Sequence, residues 1–138
     1  MERWHDWQSR LTDYLLAAGR QQIEPGRFDC MLFAAGAVRV MTGTDLAADF
    51  RGRYTTLAGG LRILKRRGYA DHVALIDDLL GERVGWMALR SGDIAAVPGY
   101  DGTPAIGVVT GDLIRCLAAD GGVGPVALDA ALYGWRIG

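Results

Sequence analysis

The sequence predicts an α+β domain in which N-terminal helices pack on a small antiparallel sheet, and three observations predict it. Apolar residues recur at helical spacing as far as Gly81. From Ser91 onward they fall instead into short β-compatible runs. Those runs are separated by Pro-Gly, Asp-Gly and Gly-Asp turns too short to carry a crossover helix, which implies antiparallel pairing. At 138 residues the chain fits one domain over 1–138, a size at which roughly two thirds of the unfolded surface can be buried.

Trp4, Trp7, Leu11, Tyr14, Leu15 and Ala18 share one helical face and predict an amphipathic first helix ending near Gly19. Pro25-Gly26 is a turn, after which Asp29 is a good cap for a second helix over 30–41. That helix reads as buried, because Cys30, Phe33, Ala34, Ala37, Val38 and Met41 form an apolar face and most other positions are small. Thr42-Gly43-Thr44-Asp45 ends it and caps a short turn. Residues 50–56 read as loop. Leu57, Leu61 and Leu64 mark a third helix, with Arg62, Lys65, Arg66 and Arg67 crowded toward its C-terminal end, where cations suit the helix dipole. Asp71 caps a fourth, whose stripe is Val73, Leu75, Ile76, Leu79 and Leu80 and whose stop is Gly81. Strands are predicted over 93–97, 105–110, 113–117, 126–128 and 133–137.

Composition excludes several classes. A net charge of −1 argues against nucleic acid as a partner, since phosphate binding needs a strong basic excess. The longest apolar stretch, Met31 to Val38 and slightly beyond, is far short of the roughly 20 residues of a membrane span. The N-terminus alternates charge and tryptophan where a signal peptide would be apolar, so folding in a cytoplasm is expected. Cys30 and Cys116 are expected as thiols in that reducing compartment. No Cys/His spacing suggests a metal, and nothing calls for a cofactor.

The chemistry-bearing stretch is Asp29-Cys30-Met31-Leu32-Phe33. It puts a thiol in the first turn of a helix, where unpaired N–H groups and the dipole favour thiolate. A cysteine nucleophile also needs an imidazole. Only His5 and His72 exist, neither on a predicted strand, and His72 is the candidate base of the two. Arg62, Lys65, Arg66 and Arg67 are either a solvated helix face or a docking patch for an acidic partner. Of four tryptophans, Trp4, Trp7, Trp86 and Trp135, core packing accounts for two, and exposed ones are interface anchors.

Three segments, in order, resemble the NlpC-type cell-wall peptidases of the papain-like superfamily. Asp29-Cys30-Met31-Leu32-Phe33 is similar to their Asp-Cys-x-x-Phe nucleophile segment. Ser91-Gly92-Asp93-Ile94 is similar to their Gly-Asp-leucine/isoleucine strand start, and Ala105-Ile106-Gly107-Val108-Val109-Thr110-Gly111 to their His-Val-Gly-Ile-Tyr-x-Gly strand. With the Gly26 to Cys30 segment, Thr42-Gly43-Thr44-Asp45, Phe50-Arg51-Gly52-Arg53-Tyr54 and Trp135-Arg136, nearly the whole chain resembles a branch of bacteriophage and prophage tail proteins. The resemblance implies a papain-like fold, a place in the virion at the tail tip after assembly in the host cytoplasm, and tail hub and distal tail proteins as partners.

The departure matters as much. Where those peptidases carry the catalytic imidazole, this chain has Ala105, and general-base assistance is worth roughly 100- to 10,000-fold. The expectation is therefore a structural or assembly component of the tail tip, a pseudoenzyme in which Cys30 is a buried, vestigial thiol. The alternative is a tail-borne cysteine peptidase that cuts peptidoglycan stem peptides during entry.

Overall fold

A computed structural model describes residues 1–99, 102–118 and 122–138. Four helices precede five strands: α1 (Trp7–Ala18), α2 (Cys30–Thr42), α3 (Leu57–Arg66), α4 (His72–Leu80), then β1 (Ile94–Val97), β2 (Ala105–Thr110), β3 (Leu113–Leu117), β4 (Val123–Ala127) and β5 (Tyr133–Trp135). The sheet is antiparallel, in the order β4-β3-β2-β1-β5. The class is thus α+β. Short 3₁₀ turns at Trp86–Ala88 and Leu128–Ala130 complete it. The predicted Asp-Gly turn at 101–102 lies partly outside the described residues.

The central element is α2. Eight of its residues from Leu32 to Met41 are buried, so it packs on α1, on β2 and on the segment holding Ala47. Fully burying each of the larger ones, Leu32, Phe33, Val38 and Met41, stabilises by about 1.5–3 kcal/mol, and this concentration makes α2 the scaffold for the rest. It stops at Gly43, which adopts the left-handed conformation (φ 83°) that a side chain rarely tolerates. The first helix starts later than its periodicity suggests. Trp4 N–H donates to Met41 O at 2.8 Å, which ties the leading segment to the end of α2 and leaves α1 to begin at Trp7.

Alternate strand residues face two cores. Ile94, Ala96, Ile106, Val108 and Trp135 meet the helices, whereas Ala95, Val97, Val109, Ile114 and Cys116 face the layer of Leu89, Val126 and Leu128. Two strands differ in length from expectation. β4 begins at Val123 despite Gly124 and Pro125, because it is an edge strand, where a residue without an N–H is tolerated. β5 ends at Trp135 because Ile137 N–H leaves the ladder to donate to Asp93.

Asp93 is the knot of the domain. Only 1% exposed, it accepts from Arg3 Nη2 (2.9 Å), from Ile137 N–H (2.9 Å) and from Arg90 N–H (2.8 Å). Arg3 also donates to Ile137 O and Ser91 O and lies over the Trp7 ring. One carboxylate and one guanidinium therefore bind the two ends of the chain to the start of β1.

Candidate functional site

The thiol predicted at a helix start is there: Cys30 is the first residue of α2. It is half-buried, which corrects the expectation of a buried thiol. Asp29, just before it, is buried and accepts three hydrogen bonds. Oδ1 takes Leu32 N–H at 3.0 Å, the capping bond of α2; Oδ2 takes Gly26 N–H at 3.1 Å and the hydroxyl of Tyr54. Gly26 has φ 87°, and a Cβ there would collide with the Tyr54 carbonyl. The two strands of loop, around 26 and 54, are thereby pressed together beside Cys30.

Burial keeps three acids of the interior protonated, Tyr54 in this corner and Cys116 and Tyr14 beyond it. Burial and the bond to Asp29 raise the Tyr54 phenol far above its ordinary range. Burial, with the charge of Cys30 adding to it, pushes the Cys116 thiol up to about 11. Burial, opposed by the charge of Arg51 and aided by that of Asp45, carries Tyr14, whose hydroxyl donates to Phe33 O at 2.7 Å in α2, up to about 12. Cys116 sits opposite Gly107 on β2 and shares a face of the sheet with Ala105. Position 105 is thus the head of β2, as expected, and carries a methyl group.

His72 is the first residue of α4, whose cap is Asp71, with Oδ1 accepting Ala74 N–H at 2.9 Å. Its Nε2 lies 2.7 Å from Pro104 O. A carbonyl can only accept, so Nε2 carries the proton and Nδ1 is the basic nitrogen of the neutral ring. The sequence gives no hint that the start of α4 reaches the residue preceding β2. His5 is exposed on the segment before α1.

The basic cluster is set out to solvent. Arg62, Lys65 and Arg66 are exposed on α3; Arg67 follows the helix, pairs with Asp49 at 3.1 Å and covers the Phe50 ring. None of the residues of α3 is buried, and Leu57 is 70% exposed. Its glycines rest closely on Thr56 and the Tyr54 ring, and Ile63 and Leu64 are half-buried. Among the tryptophans, Trp135 is fully buried and Trp7 partly so, while Trp4 and Trp86 are exposed.

Among the described residues, no cluster of three or more His, Cys, Asp or Glu side chains could hold a metal, and no helix is long and apolar enough to cross a membrane. A family profile covers residues 2–137. The chain belongs to the DUF6950 family, a domain of unknown function. No curated protein matches it. The DUF6950 match spans the Asp29 corner, α3 and the Asp93 knot alike, so all three belong to one family unit.

Sequence reasoning placed Cys30 and Asp29 correctly at the start of α2 and missed Tyr54 as their neighbour. Twenty-five residues separate Tyr54 from Asp29, and no local pattern announces a contact at that distance. Gly26 was the available signal, since a glycine at a turn often marks a close approach of backbone.

Proposed function

We propose that this chain is a structural or assembly component of a bacteriophage tail tip, built on an NlpC-like fold that no longer works as a peptidase. The carrying observation is the methyl of Ala105 at the head of β2, where the resembling peptidases present their imidazole. In those peptidases the paired imidazole is both the proton acceptor and the ion partner that stabilises the thiolate, and a methyl at that position supplies neither. Of the groups beside Cys30, Asp29 is engaged in the helix cap and Tyr54 is held as a phenol. Binding is favoured by α3, whose exposed leucines and cations form a face that suits an acidic partner such as a tail hub or distal tail protein.

Phage carrying Cys30→Ala should assemble and infect nearly as wild type. Charge reversal at Arg62, Lys65 and Arg66 should lower the amount of the protein in purified particles, and equal virion content would remove the docking role of α3.

One observation favours the enzymatic alternative. The ring of His72 stands against Pro104 O, so an imidazole from α4 lies next to the position vacated at 105. In that case His72 Nδ1 would take the Cys30 proton as the sulfur adds to the stem-peptide carbonyl and return it to the amine as the C–N bond breaks, and water would then release the acyl group from the sulfur. Release of cleaved muropeptides by the wild type, and not by Cys30→Ala or His72→Ala, would establish this reading in place of the first.

A further inference from the structure

A concave surface lies along the α1–α2 pair and includes neither Cys30 nor His72. It is a groove of about 640 Å³. Four guanidinium groups border it, those of Arg10, Arg27, Arg39 and Arg51, and among the described residues no aspartate or glutamate lines it. Its floor is apolar, from Phe28, Leu32 and Val40, and Trp4 walls one end against Gly43.

The arginines differ in how they are held. Arg10 is fixed over the Trp4 ring, 4.3 Å from its centre, by a 2.9 Å bond to Asp6. Arg51 is fixed by two bonds to Asp45, of 2.7 and 3.2 Å. Arg27 and Arg39 are 79% and 60% exposed and meet Glu24 and Asp45 only at 3.7 and 3.9 Å. Two cations are therefore pre-oriented, and two keep donors available to a ligand. Planar guanidinium groups in such an array recognise carboxylates through paired hydrogen bonds, and the floor offers burial to apolar side chains between them.

We infer that this groove binds an extended segment of a partner protein in which carboxylate side chains alternate with apolar ones. A polyphosphate fits less well. Asp6, Glu24 and Asp45 stand just outside the lining and the whole chain has a net charge of −1, whereas phosphate backbones need a strong basic excess. The inference stands apart from the tail-tip reading, since it rests on a different surface and different residues.

Calorimetric titration of the full chain tests it. The probes are a synthetic peptide in which glutamates alternate with leucine and serine, its glutamine counterpart, and a single-stranded oligothymidylate. The glutamate peptide should saturate the protein and shift the Trp4 indole resonance, and the glutamine peptide should not. Joint replacement Arg27→Glu and Arg39→Glu, at exposed and weakly paired sites, should weaken binding at least about tenfold without lowering the thermal unfolding midpoint. If that variant does unfold, Arg27→Gln with Arg39→Gln takes its place, with the same direction expected. Absent saturation, equal binding of the two peptides, indifference to the substitutions, or tighter binding of the oligothymidylate would each overturn the inference.

Discussion

The two buried aspartates, Asp29 and Asp93, sit in similar places and are held by opposite means. Each opens a core element, Asp29 ahead of α2 and Asp93 ahead of β1, and each accepts three close hydrogen bonds. Asp93 faces a guanidinium from the far end of the chain, with Arg136 at 3.7 Å as a second. Asp29, among the described residues, meets only backbone N–H groups and a phenol. A buried carboxylate with a cation is a fastening whose loss strands a charge. One with neutral donors only is a positioning device, and it orders the loops beside Cys30 without committing a charge to them.

The difference predicts a ranking. Asp93→Ala should be the most damaging, at about 3–5 kcal/mol by urea unfolding, because Arg3 is left part-buried and unpaired. Removing Arg3 in the same chain should restore part of the loss, which a double-mutant cycle would measure. Asp29→Ala should cost less, about 1–2 kcal/mol, as expected for a lost N-cap. Equal costs at the two positions would erase the distinction between fastening and positioning. Tyr54→Phe should cost about 1 kcal/mol, a single hydrogen bond, and should increase amide exchange in the residues around Gly26 and Gly60 that the ring separates.

Alkaline pH probes the acids that burial holds protonated. Cys116 at about 11 and Tyr14 at about 12 both stand above their unfolded values of 9.0 and 10.0. Stability they contribute is complete below the unfolded values and is lost as pH climbs from 9 toward 12, since the unfolded chain ionises first. The unfolding midpoint should fall over that window. Cys116→Ala should flatten its lower part and Tyr14→Phe its upper part, while a curve unchanged by either would show that the loss arises elsewhere.

Much of this molecule was legible in order of residues. The positions of α2 and α4 follow from their caps Asp29 and Asp71 with the apolar spacing behind them, that of α3 from Leu57, Leu61 and Leu64, and four of the strand starts follow from a change of period after Ser91. These signals are local, carried by hydrogen bonds and side-chain spacings within a few residues, and they do not require the rest of the chain. Cys30 at a helix start is of this kind. So is Ala105 at a strand head.

What waited for packing was everything that joins distant segments. Arg3 with Asp93 and Ile137, Tyr54 with Asp29, His72 with Pro104, and the arginine groove between α1 and α2 connect residues that share no local pattern. Even the lengths of β4 and β5 depend on such partners, one on lying at an edge and the other on the pull of Asp93. Short-range chemistry chooses helix or strand because it acts on neighbouring backbone groups. Which side chains meet, and hence what the protein can bind, is chosen by the burial of α2, since that one helix brings its loops, the sheet and both chain ends within reach of each other.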